Sequence, residues 1–226
     1  MNYSYLLLNL IILIGPLLLS FEKRVRYISK IKHVLISIFL VSIPFILWDQ
    51  YATLNGHWSF SKEHTTGINI GMLPIEEVMF FLTVPFSCLF VYEVINYFFK
   101  DKKTKVSAYV FAFVGALLSL IAFTNPDKGY TLIVSTLGSS LFFALAFIRP
   151  VLVMKRNYLI FLAVTLVLFL VFNSILTGIP IVSYGADEIL GIRIGTIPIE
   201  DFVYNSVMLT LYLLVYNWSK MFFKKD

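Results

Sequence analysis

One cysteine, Cys88, is too few for an intrachain disulfide or a multi-cysteine zinc site. Charge is scarce as well. Only 14% of the residues are charged, where a soluble domain carries about 25%. No G-x-G-x-x-G precedes a βαβ unit, and there is no P-loop and no H-E-x-x-H, which excludes a Rossmann flavin or nicotinamide site. The runs "GINIG" and "GIRIG" lack that spacing and that context. Histidine is limited to His33, His57 and His64. His57 and His64 share a loop with Asp49 and Glu63, but the later part of the chain has no histidine at the matching place, so no metal site is expected.

What fills the chain is apolar. Hydrophobic residues make up 59%, and the mean hydropathy of +0.85 points to a membrane protein. A spanning helix needs roughly 20 apolar residues. Seven segments qualify: Tyr3–Phe21, His33–Tyr51, Pro74–Phe99, Val106–Phe123, Tyr130–Ile148, Tyr158–Leu176 and Pro198–Trp218. The first has no basic start and no small-x-small cleavage site, so it is expected to remain as a mature helix. The last contains no lysine, which excludes a retinal Schiff base there.

Fifteen of the 18 Lys and Arg fall in four places: 22–32, 100–105, 149–157 and the tail from Lys220. With seven spans all four lie on one side, leaving Lys62, Lys128 and Arg193 on the other. The positive-inside rule then puts the N-terminus outside and the C-terminus in the cytoplasm. The net charge of +5 thus reads as a topology signal, and no nucleic-acid partner is expected.

The chain also repeats itself. Pro198 lies 124 residues after Pro74, and the same ungapped offset pairs Gly67 with Gly191, Gly71 with Gly195, Glu76 with Glu200, Glu77 with Asp201, Trp48 with Phe172, Asp49 with Asn173 and Thr53 with Thr177. An offset held across a helix end, a long loop and the next helix start argues for internal duplication. The expected fold is an all-α integral membrane protein: seven transmembrane helices, as two parallel three-helix repeats (1–100 and 130–226) joined by a linker helix (101–129).

The duplicated motifs "PIEE" and "PIED" start the third and seventh segments. Proline suits the first turn of a helix, and carboxylates there gain about 0.3–1 kcal/mol from the helix dipole. That explains one acid at one helix. Two adjacent acids, twice, at the edge of hydrocarbon, mark a functional site. Like charge and burial both disfavour ionising every carboxyl of such a cluster, so one can donate a proton while a neighbour accepts one. Asp49 and Asn173 close the second and sixth segments on the same side; each can orient an acid or cap a helix end. Nearby aromatics include Trp48, Tyr51, Trp58, Phe60, Phe80, Phe81, Phe172 and Tyr204. Aromatic faces stabilise a cation by about 0.5–2 kcal/mol each. Glu93, toward the cytoplasmic end of the third segment, is expected to snorkel beside Lys100, and His33 to lie at the interface.

Duplicated P-x-E-E and P-x-E-D helix starts in a small seven-helix chain resemble the fused heterodimer-type lycopene cyclases of bacteria and archaea, and the cyclase half of fungal bifunctional carotenoid enzymes. The resemblance covers nearly the whole chain. It implies a redox-neutral conversion of the ψ end groups of lycopene to β-ionone rings, within the bilayer of a prokaryotic inner membrane, with no cofactor and no metal. It carries the family's acidic motif onto Pro74, Glu76 and Glu77, and onto Pro198, Glu200 and Asp201. Glu76 or Glu200 is then expected as the acid, with Glu77 and Asp201 as base or electrostatic partner. The partners implied are the carotenoid and membrane lipid, with a homo-oligomer left open. Two other readings stand beside this one. A small 3+1+3 transporter would place its polar groups at the midplane, whereas here they lie at the outer ends. A carotenoid hydratase would let water capture the same cation.

Overall fold

A computed structural model describes residues 3–104 and 106–223. Of the basic clusters, Lys105, Lys224 and Lys225 lie outside the described residues. Among the described residues there are seven α-helices: α1 (Ser4–Leu19), α2 (Ile31–Leu54), α3 (Ile75–Phe98), α4 (Ala108–Thr124), α5 (Gly129–Ile148), α6 (Arg156–Gly178) and α7 (Ile199–Phe222). Each expected segment contains one, with ends moved by a few residues. Tyr27–Leu54, Ile75–Phe98, Gly129–Ile148 and Arg156–Gly178 are long and apolar enough to cross a membrane, and α1 and α4 are shorter apolar helices. Large apolar side chains such as Leu18, Phe39, Leu47, Phe113 and Phe147 point outward and exposed. Water would not tolerate so much uncovered hydrocarbon; lipid does. The protein is a membrane protein.

The packing of the first three helices matches that of the last three. α1 and α2 pack on α3 as α5 and α6 pack on α7, and across the middle α2 meets α7 as α6 meets α3. α4 packs on α5. The core lies where α2, α3 and α7 meet, around Phe81, Leu89, Tyr92, Tyr212 and Leu213.

The loops are less irregular than an all-helical reading allows. β1 (Trp58–Phe60) pairs antiparallel with β4 (Val182–Tyr184), Trp58 opposite Tyr184, and so ties the two long loops together. β2 (Asn69–Ile70) and β3 (Leu73–Pro74) form a hairpin just before α3. β5 (Arg193–Ile194) and β6 (Ile197–Pro198) form the same hairpin just before α7. These short strands carry too few residues for an alternating pattern to appear in the sequence. The hairpins do explain the paired glycines: Gly67 and Gly71 have φ of 79° and 65°, Gly191 and Gly195 of 81° and 62°. Side chains are disfavoured there. Gly71 has a second constraint, since a Cβ would come within 2.6 Å of Gln50 Oε1. Gln50 itself clasps the hairpin, donating to Ile70 O at 2.6 Å and accepting from Met72 N at 2.7 Å.

The opposite end of the bundle holds the basic loops. Lys103 bridges to Lys155, His33 Nδ1 meets Ser219 Oγ at 2.9 Å, and Asn157 donates to Asn96 Oδ1 at 2.9 Å. Two expectations are corrected here. Glu93 does not snorkel beside Lys100. It is 4% exposed and paired with Lys30 and with Lys220, the latter at 3.0 Å, while Tyr216 donates to it at 2.6 Å. Sequence neighbourhood suggested Lys100; packing of α7 and of the 3₁₀ turn Tyr27–Lys30 against α3 decides otherwise. α7 also runs past Trp218 to Phe222, and so includes a lysine after all. That lysine is Lys220, spent on Glu93 in the helix's last turn.

Candidate active site

Pro74 and Pro198 are the N-caps of α3 and α7, in extended conformation with ψ of 149° and 145°. Each hairpin delivers the chain to its proline, and the helix opens one residue later. Glu76 and Glu200 therefore fall at the second helical position and Glu77 and Asp201 at the third. Adjacent helical residues are about 100° apart around the axis, so the two acids of each pair face different surroundings.

Glu76 and Glu200 face back into the loops. Glu76 Oε1 accepts the Thr66 amide at 2.6 Å, and Glu200 Oε1 accepts the Leu190 amide at 2.6 Å. Thr131 adds a second donor to Glu200 at 2.6 Å. Both side chains are buried, and neither lines the cavity that the inward acids share. They fasten the two loops to the helix heads. Glu76→Ala is expected to cost about 1–3 kcal/mol of stability, because the Thr66 amide loses its acceptor. Glu76→Gln keeps an acceptor oxygen and should melt close to the wild type while still turning over; thermal unfolding and pigment assay in detergent check both.

Glu77 and Asp201 face inward, and both line a cavity of about 330 Å³. Asp49 lines it too, so the carboxyls that meet at its head are Asp49, Glu77 and Asp201. Glu77 Oε2 accepts the phenol of Tyr5. Asp49 Oδ1 accepts the Trp58 indole N–H at 2.7 Å. The Asp49 and Glu77 carboxyls are both buried and line the same cavity head. Asp201 is held differently. Its Oδ1 accepts from Tyr130 at 2.6 Å, and its Oδ2 accepts from Asn173 at 2.8 Å and Tyr184 at 2.6 Å. Tyr184, in the loop strand β4, has its phenol pushed well above the ordinary range by burial and by the Asp201 charge, so it stays a donor.

The remaining expected residues divide. Phe172 and Asn173 line the cavity beside Phe80 and Tyr204. Trp48 stands behind, stacked on Tyr130 with centroids 6.1 Å apart. Tyr51 is exposed on the outer loop side. His57 is buried in the loop cap with Nε2 3.5 Å from Glu188 Oε2, and burial lowers its pKa despite that carboxylate. Among the described residues no three His, Cys, Asp or Glu side chains are grouped as metal ligands. Sequence reasoning missed Tyr5, Tyr130 and Tyr184. Tyr5 and Tyr130 sit in the first turn of α1 and α5, 125 residues apart, so extending the repeat search by one slipped residue would have paired them.

The cavity extends from the acids down α3 to Ser87, Cys88 and Val91. The fourteen helical steps from Glu77 to Val91 cover about 21 Å at 1.5 Å each. Below its head the lining is mostly apolar, from α1 (Ile11, Ile12, Pro16), α6 (Leu168, Phe169) and α7 (Met208), with Ser87, Thr165 and Asn205 as its polar members. A long, narrow, apolar slot with a carboxyl head fits a hydrocarbon that is to be protonated at its tip.

Comparison with known families agrees. The lycopene cyclase family model matches residues 2–95 and 127–219. The chain belongs to the lycopene cyclase family. The two matched stretches take in both acid-headed helices and every residue of the cavity head, so the family's function is that of a carotenoid cyclase. No curated protein and no solved structure matches the chain.

Proposed function

We propose that this lycopene cyclase family member closes the ψ end groups of lycopene to β-ionone rings by proton transfer alone. One observation carries the reading: two carboxyl centres with unlike hydrogen-bond surroundings, Glu77 with Asp49 and Asp201 with three donors, line the head of one largely apolar slot. The Glu77 carboxyl gives its proton to the terminal double bond, leaving a tertiary cation. The next double bond supplies the electron pair that closes the six-membered ring, and the charge moves to the ring carbon bearing a methyl group. Loss of a proton from the adjacent ring carbon, the one joined to the chain, forms the ring double bond. Asp201 accepts that proton, and exchange with water at the outer end resets both acids. One proton enters and one leaves, so the product is an isomer. Asp201 and the faces of Phe80, Phe172 and Tyr204 stabilise the cation on the way. Burial of the slot keeps out water, which would trap the cation as an alcohol.

The substrate enters from the bilayer. Ile11 on α1 and Leu168 on α6 both line the slot and are 53% and 37% exposed, which makes the α1–α6 seam the opening to lipid. The slot takes one end group and part of the polyene, and the rest stays in the membrane. The matching hairpins, acids and helix packing of the two halves support a parallel duplication. The gathering of basic loops at the other end supports an N-terminus outside and a cytoplasmic C-terminus, in seven spans of a prokaryotic inner membrane.

Expression in lycopene-accumulating bacteria, with chromatography of the pigments, tests the reading. Conversion to γ- or β-carotene is expected. Unchanged lycopene in cells whose membranes hold the folded protein would overturn it.

A further inference from the structure

We propose that Asp49 is the positioning residue that places a proton on Glu77, and that its counterpart Asn173 holds Asp201 as the anion, so that this difference between the halves sets the direction of proton flow. The inference rests on the cyclisation reading for its kinetic part only.

Asp49 and Asn173 lie 124 residues apart, on α2 and α6; Asn173 donates to Asp201, and Asp49 lines the same cavity head as Glu77. The surroundings of the two acids differ in donors. Asp201 has Tyr130, Tyr184 and the Asn173 amide, three N–H or O–H groups on two oxygens. A carboxylate so surrounded needs no proton. Asn173 contributes its Nδ2, which always carries hydrogen.

In the other half the same place is taken by a group with no hydrogen of its own when ionised. Asp49 and Glu77 together offer four oxygens. Trp58 serves Asp49 Oδ1 and Tyr5 serves Glu77 Oε2. Asp49 Oδ2 is buried and makes no hydrogen bond. Two buried carboxyls at one cavity head do not both ionise, because burial and like charge each favour the protonated form. The pair therefore carries one proton that the Asn173–Asp201 pair does not. Phe60, opposite Val182 in the β1–β4 pairing, sits at the place that Tyr184 fills in the other half. The acid half thus also lacks the phenol that would otherwise satisfy the pair.

Each residue has a purpose under this arrangement. The proton sits at the slot head, and the neighbouring Asp49 carboxylate, anchored by Trp58, keeps it on Glu77 until a double bond arrives to take it. Asp201, already ionised, faces the cation that forms. Exchanging Asp49 and Asn173 should exchange the roles.

The test uses the full chain purified in lipid nanodiscs, as wild type, Asp49→Asn, Asn173→Asp and the double exchange, with infrared spectra before substrate is added and turnover of lycopene afterwards. The wild type is expected to show a protonated-carboxyl C=O band that Asp49→Asn and Glu77→Gln each remove. Asp49→Asn should lose about 100-fold or more in turnover, the range of a removed acid. The double exchange should recover the band and at least about tenfold in turnover over Asp49→Asn, on the same scale. A variant that fails to fold is recognised by its unfolding curve, and Asp49→Glu, which keeps the carboxyl, then stands in and should keep the band. A wild type without the band, or an Asp49→Asn protein that keeps band and turnover, would overturn the proposal. So would a double exchange with the band restored and turnover no better than Asp49→Asn. If the wild type leaves lycopene unchanged, the cyclisation reading fails, while the band and its loss in Asp49→Asn still decide where the proton sits.

Discussion

Glu77→Gln abolishes ring closure, with an expected loss of about 10²–10⁴ in turnover, the contribution of a positioned acid. The amide is nearly the same size as the carboxyl and can still meet Tyr5 and Asp49, so the slot should keep its shape. What it cannot do is release a proton to carbon. Asp201→Asn should lose a comparable factor by a different route. Tyr130 and Tyr184 would then face an amide whose NH₂ cannot accept their hydrogens, and the cation would form without its counter-charge. Substrate binding is set by the apolar slot, so both variants should lower turnover far more than they raise the apparent KM. A steady-state assay in nanodiscs measures both parameters. Turnover near wild type in either variant would remove that residue from the chemistry. The neighbouring Glu76→Gln serves as the internal comparison, because it is one residue away, also buried, and turned into the loop.

Glu93→Ala unfolds the other end of the bundle most readily, with an expected cost of about 3 kcal/mol. Glu93 is the acceptor for Lys30, Lys220 and Tyr216 at once, and so joins the start of α2 to the ends of α3 and α7. Removing it leaves two ammonium groups facing each other with no counter-charge. Both lysines are about a third exposed, with side-chain exposures of 27% and 35%. Part of the penalty is therefore relieved by water, which keeps the figure at the lower end for a broken buried pair. Glu93→Gln keeps an acceptor and should cost less. The catalytic head lies at the far end of α3, so turnover at low temperature should be retained while the melting temperature falls. A melting temperature unchanged in Glu93→Ala would show that the cluster contributes nothing to stability.

Much of this was legible in the residues because the chain writes it twice. The seven apolar segments follow from composition, and the glycines recur at fixed places before each proline, although the hairpins they turn were not read from them. The acid pairs stood out because one helix start needs only one carboxylate for its dipole. Which acid of each pair faces the cavity was not legible. Glu76 and Glu77 are chemically alike, and only the path of the loop, with the Thr66 amide directed at Glu76, separates them. Tyr184 was hidden for a related reason: it reaches Asp201 through the β1–β4 pairing, a three-residue contact with no pattern to announce it. Glu93 was misjudged because its partners are 63 and 127 residues away. Asp49 and Asn173 were visible as a pair, but their difference gained meaning only from the three donors around Asp201.

The mass of the product formed from lycopene in D₂O tests the central claim most directly. Proton transfer from carboxyl to carbon and back to carboxyl predicts a product of the same formula as lycopene, heavier by one deuterium for each ring closed. A product heavier by a molecule of water, a product changed by two hydrogens, or a ring formed without deuterium would contradict it.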